Sequence, residues 1–146
     1  GSRSHMEWGL IGDEVNLTSR LENMCKLYGI EILISEALYL HVKEHFVCRH
    51  IDKVVAVGKS TSTDIYQLIA HHASATPRQV RYAGEFGGVV AAYRARRFEC
   101  ALSLLAAYQA EFGEDATATL YVTRCEKLMR DPPGDDWEGA AILTEK

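Results

Sequence analysis

The spacing of apolar residues changes character part-way along this chain, and no one regular architecture accommodates both parts. Near the start, Leu17, Leu21, Met24 and Tyr28 follow the i, i+4, i+7, i+11 pattern of a helix buried on one face. Gly29 is placed to cap that helix, and residues 31–34 form a short apolar run of strand type. Ser35 can cap a second helix with Leu38, Val42 and His45 along its inner face. Residues 46–52 and 53–57 read as β segments, 58–63 as a polar turn and 64–69 as a closing strand. Helix, strand, helix and then antiparallel strands make an α+β arrangement. From about Phe86 the chain turns helical and alanine-rich instead. Val89, Val90 and Tyr93 face inward on one helix, Ala101, Leu104, Leu105 and Tyr108 on the next, and Leu120, Val122, Cys125 and Leu128 on a third. The expected organisation is an α+β unit over residues 7–70, a linker over 71–85 where the composition shifts to H-H-A-S-A-T-P and then toward Gly84, Gly87 and Gly88, and an all-α helical-hairpin segment over 86–146.

A chain of 146 residues that is 47% hydrophobic and 25% charged can bury a real core. Its net charge of -4 and pI near 5.9 argue against nucleic acid as a partner. No apolar run is long enough to span a bilayer. Cys25, Cys48, Cys100 and Cys125 lack any C-x-x-C spacing and read as reduced core residues of an intracellular, cytoplasmic protein. Attachment of a longer parent to a membrane, with this part on the cytosolic side, stays open. Residues 1–6, G-S-R-S-H-M, read as an expression scar, which makes the chain an excised piece beginning at Glu7.

Residues 12–22, G-D-E-V-N-L-T-S-R-L-E, carry the chemistry. Asn16 and Arg20 stand four apart and project from one helix face, beside the apolar stripe rather than on it. One side chain is a neutral donor and acceptor. The other is a planar fork of donors suited to a phosphate or carboxylate.

This string, followed by K-L-Y-G, E-I-L-I-S-E-A and V-G-K-S-T-S-T-D-I-Y-Q-L, resembles the C-terminal half of class III adenylyl and guanylyl cyclases over residues 7–68. The resemblance implies a partial ferredoxin-like nucleotidyl cyclase domain. It implies that Asn16 orients the substrate ribose and that Arg20 stabilises the α-phosphate transition state as the ribose 3′-hydroxyl displaces pyrophosphate from ATP or GTP. It further implies a site built at a homodimer interface, with Mg²⁺ or Mn²⁺ held in the parent enzyme by two aspartates of an earlier segment. The ligands for that metal are not expected in this fragment, which should bind no cofactor and make no cyclic nucleotide alone.

Several positions depart from the family pattern. The residue three before Gly12 helps choose the purine in the family and is Gly9 here; having no side chain, it leaves ATP and GTP both open. The lysine that commonly approaches the triphosphate is replaced by Val57, and Lys59 lies two residues on. Lys59 in Gly58-Lys59-Ser60 lacks the glycine spacing of a P-loop. Asp13 reads as a helix-entrance acid.

Tyr93, Phe98, Ala101, Leu105 and Tyr108 resemble the packing positions of a tetratricopeptide repeat with a shortened turn. About one and a half units fit, so the helices are expected to dock on the α+β part or on a protein partner. The ending R-D-P-P-G-D-D-W-E-G resembles a tail found after microbial adenylyl cyclase domains, with Trp137 plugging an apolar groove beside the helices. His41 and His45 have helical metal-pair spacing without a cluster to complete it, and Arg94, Arg96 and Arg97 read as complements to a helix C-terminus. Two readings follow: a catalytic cyclase parent, or a noncatalytic cyclase homologue whose helical tail docks a partner.

Overall fold

The computed structural model describes residues 5–7, 18–56 and 60–143, with side chains described from residue 23 onward except at 56 and 143. In chain order the elements are β1 (His5–Glu7), α1 (Thr18–Tyr28), β2 (Ile32–Ser35), α2 (Glu36–Val42), β3 (Phe46–Ala56), β4 (Ser62–His71), a 3₁₀ turn (His72–Ser74), α3 (Pro77–Arg94), α4 (Phe98–Phe112), α5 (Ala116–Arg130) and β5 (Ala141–Leu143). The molecule is α+β, with one mixed sheet in the order β1-β2-β4-β3-β5. β1 contains His5 and Met6 of the stretch read as a scar, and it pairs parallel to β2.

Residues 46–56 form one strand rather than two. An irregularity between His50 and Asp52 shifts the alternation by one residue, so that Asp52 and Val54 continue the buried row begun by Val47, Arg49 and Ile51. That row faces the helices.

The stretch 71–85 is helical from Pro77 onward. Thr76 Oγ1 accepts from the Gln79 amide while Gln79 Oε1 accepts from the Thr76 amide, a reciprocal capping box, and Pro77 follows at the first helical position. Gly84, Gly87 and Gly88 sit within α3 at a cost of about 1 kcal/mol each. Burial of Phe86, Val89, Val90 and Tyr93 on the same helix outweighs that cost.

Two apolar clusters result. Phe86, Tyr93, Phe98, Leu105, Tyr108, Tyr121 and their neighbours fill the helical layer, joined by edge-on aromatic contacts such as Phe86 to Tyr121 at 5.4 Å. Met24, Cys25, Tyr28, Leu33, Ile51, Val54 and Ile65 fill the space between α1 and the sheet, with Leu120 of α5 packed against them. α5 therefore serves both clusters. Leu104 points outward, 39% exposed, because Ala101, Leu105 and Tyr108 already occupy the inner face of α4. α2 buries no residue completely, and His45 lies exposed beyond its end.

Trp137 lies edge-on to Tyr93 and Phe98, with ring centroids 5.3 and 5.7 Å away, and the Arg96 guanidinium stands over its ring. Arg96 adopts a left-handed backbone (φ 65°), and its guanidinium donates to the carbonyls of Pro133 and Gly134. The chain then returns to the sheet as β5, parallel to β3. The helical layer thus leaves the sheet at β4 and rejoins it.

Candidate functional site

Parallel β1 and β2 with α1 between them form a crossover unit, in which the helix runs opposite to both strands. Its first turn, which holds Arg20, therefore lies at the end of the sheet where β1 finishes. The registers Glu7 to Ile34, Ser35 to Ile65 and Val55 to Ser62 put the C-terminal ends of β1, β2 and β3 and the start of β4 at that same end. In sequence, residues 8–17 come between β1 and α1, and residues 57–61 between β3 and β4. Asn16 and Gly9 belong to the first connection and Lys59 to the second, and all three lie outside the described residues, as does the side chain of Arg20.

Two charged clusters that sequence reasoning did not single out lie beneath the helices. Arg49, 1% exposed on β3, donates from Nη1 to Asp115 Oδ2 at 2.5 Å and to the Tyr108 hydroxyl at 3.1 Å, and from Nε to Gln67 at 2.9 Å. Its guanidinium stacks between the rings of Tyr82 and Phe86, at 4.5 and 4.8 Å. Burial alone lowers the guanidinium pKa, but the hydrogen bond and charge of Asp115 outweigh it and the net shift is upward. Asp115 also caps α5, accepting from the Thr117 amide.

Asp52, also 1% exposed on β3, is the centre of the second cluster. Tyr28 donates to its Oδ2 at 2.6 Å and Tyr121 to its Oδ1 at 3.2 Å, while Arg124 Nη1 lies 2.8 Å from Oδ2 as an ion pair. Burial and the Asp52 charge push both phenols up, so each stays a neutral donor at physiological pH. A signal for the first cluster was present: Arg49 alternates with Val47 and Ile51, in a row where a charged residue is rare unless paired, whereas Asp52 enters that row only through the irregularity after His50.

A third group sits half-buried at the sheet surface. Asp64 accepts from Arg94 and lies 2.9 Å from His50 Nε2. Two of the arginines read as complements to a helix C-terminus instead have separate partners: Arg94 reaches the sheet and Arg96 seats the tail. Cys25 and Cys125 are buried, Cys48 is half-buried and Cys100 is exposed, because the position of Cys100 on α4 faces away from both clusters. Burial pushes the Cys48 and Cys125 thiols up to about 11. Among the described residues, no group of three or more His, Cys, Asp or Glu could hold a metal ion, and His41 and His45 are both exposed. No described helix is long and apolar enough to cross a membrane.

Three curated proteins are similar to this chain. It is 31% identical over 130 residues to "Adenylate cyclase, terminal-differentiation specific" of Dictyostelium discoideum, covering 86% of this chain and 6% of that protein. It is 36% identical over 69 residues to "Adenylate cyclase 1" of Rhizobium meliloti, covering 47% and 10%, and 42% identical over 73 residues to "Adenylate cyclase" of Anabaena cylindrica, covering 48% and 14%. The chain contains an adenylate cyclase-related region. It spans between 6% and 14% of the length of these relatives. A match over 86% of the chain necessarily runs through the sheet and into the helical layer. No protein-family model and no solved structure matches the chain.

Proposed function

We propose that this chain is the C-terminal half of a class III nucleotidyl cyclase catalytic domain together with its helical layer, contributing Asn16 and Arg20 to a composite site. In this reading the ribose 3′-hydroxyl of ATP or GTP attacks the α-phosphorus of the same nucleotide. The new P–O bond closes the 3′,5′-cyclic ester, the hydroxyl proton passes to solvent, the bond to the β-phosphate breaks, and pyrophosphate leaves with its electron pair. Asn16 holds the ribose, and the Arg20 guanidinium meets the charge that builds on the nonbridging oxygens, where a preorganised cation acts most strongly. The single observation that carries the reading is the similarity to three proteins named adenylate cyclase. The ends of β1 and β3 and the start of β4, which flank residues 8–17 and 57–59, lie at one end of the sheet and support it.

The family resemblance calls for Mg²⁺ or Mn²⁺, and among the described residues no group of three or more His, Cys, Asp or Glu could hold either. No step above is routed through a metal, and the reading assigns the metal-binding aspartates to a different segment. It also calls for a homodimer; among the described residues β1 is an edge strand, and an edge strand can pair with another chain. Sedimentation of this chain should show a dimer.

The deciding experiment extends the chain N-terminally to a whole cyclase domain and offers it ATP and GTP with Mg²⁺ or Mn²⁺, beside its Arg20→Ala variant. Loss of one charge-stabilising donor should lower turnover by about 10²–10³-fold. A folded but silent extended chain supports the second reading, a noncatalytic homologue that docks a protein through its helices, which Gly9 and Val57 favour.

A further inference from the structure

α5 meets the C-terminal end of α1 at four points. Thr117 Oγ1 donates to the carbonyl of Tyr28 at 2.7 Å, between residues that are both 0% exposed. A carbonyl in the last turn of a helix has no partner within it, so Thr117 supplies one that water cannot. At Gly29, the next residue, φ is +69°, and a Cβ there would lie 2.7 Å from Ala116 Cβ. Only glycine lets the start of α5 approach so closely. Asp52 then clasps a tyrosine from each helix, Tyr28 of α1 and Tyr121 of α5, to strand β3. Leu120 completes the contact against the cluster of Met24, Cys25 and Tyr28.

We propose that α5 positions α1, and that Thr117 is a positioning residue that sets where the first turn of α1 stands relative to the sheet. The catalytic consequence rests on the cyclase reading, in which that turn carries Arg20. From Tyr28 back to Arg20 is eight residues, about 12 Å of helix, so a tilt of roughly 5° at the α5 end moves Arg20 by about 1 Å. A displacement of that size at a reacting centre can change rates by one to two orders of magnitude. The helical layer is then more than a cover for the sheet. Whatever shifts α5 shifts the arginine helix, so the layer is a route by which a signal can adjust turnover.

Thr117→Val keeps the shape and removes the donor, while Thr117→Ser keeps the hydroxyl. In the chain extended to a whole cyclase domain, Thr117→Val should lower kcat about tenfold with KM for the nucleotide changed less than about twofold, and Thr117→Ser should restore kcat. In the present chain, amide exchange over residues 24–28 should quicken in Thr117→Val by more than it does in α3 and α4, and return in Thr117→Ser. Unchanged kcat in the valine variant, or a loss that serine does not restore, would overturn the proposal. So would exchange that leaves α1 untouched or rises equally in α3 and α4, which marks general loosening. If the extended wild-type chain makes no cyclic nucleotide, the cyclase reading falls while the exchange result still decides whether α5 holds α1.

Discussion

The interior of the helical layer and the seam beneath it contain side chains of opposite character. Inside the layer, Phe86, Tyr93, Phe98, Tyr108 and Tyr121 pack edge-on around Ala101, Leu105 and Ala118. At the seam, β3 offers Arg49 to Asp115 and Asp52 to Arg124. Apolar packing supplies most of the stability but tolerates sliding, because one aromatic surface resembles another. The seam does not tolerate it. Cation and anion alternate along β3, and their counterparts alternate in the opposite sense along the start and middle of α5, so displacing α5 along the strand would break both pairs. Stability and register are thus assigned to different parts of the molecule, with the buried ions fixing how the layer sits.

The largest expected effect breaks the seam. Arg49→Met strands the Asp115 carboxylate beneath the helices and should cost about 3–5 kcal/mol in urea unfolding. Adding Asp115→Asn, which keeps a capping side chain, should recover part of that loss, so that the double variant is less destabilised than the sum of the singles. Simple additivity would show the pair to be uncoupled.

Next comes the interior. Trp137→Ala removes a half-buried ring from against Tyr93 and Phe98 and should cost about 2–3 kcal/mol, with no change in the response to Arg49→Met. A smaller effect sharpens the seam: Tyr121→Phe deletes donations to the Ile51 carbonyl (2.6 Å) and to Asp52, and should cost about 1–2 kcal/mol.

The smallest effect concerns Asp64, where Arg94 of the helical layer reaches the sheet surface. Burial raises its pKa, but hydrogen bonds from Arg94 and His50 outweigh that and lower it below the ordinary 3.8. A depressed carboxyl stabilises the fold above its unfolded value and loses that contribution as pH falls through the folded one. Wild type should therefore exceed Asp64→Asn by about 1 kcal/mol at neutral pH, discounted for partial exposure, with the gap closing below about pH 4. A gap that widens on acidification would contradict the assignment.

What could be read from the sequence was what short-range periodicity controls. Val89, Val90, Tyr93, Ala101, Leu105, Tyr108 and Cys125 are buried, as their helical spacing predicts, because neighbours on one face share one environment. The seat of Trp137 beside the helices was expected alongside the resemblance of its R-D-P-P-G-D-D-W-E-G tail. The start of α3 was not: its three glycines spoke for a linker while the Thr76, Pro77 and Gln79 cap spoke for a helix, and the cap together with apolar burial prevailed. Nor was the seam. Arg49 and Asp115 are 66 residues apart, and local pattern assigns no partner at that distance. The candidate site was legible only as a motif, since Asn16, Gly9 and Lys59 fall outside the described residues.

The claim that joins these observations is that sheet and helical layer form one cooperative body, coupled through β3 and α5. Native-state hydrogen exchange on wild type and Arg49→Met tests it most directly. The account predicts that the most protected amides of β3, β4, α4 and α5 share one opening free energy, and that the variant lowers all of them equally. Helices that lose protection while the sheet keeps its own would contradict it and return the helical layer to the status of a separate module.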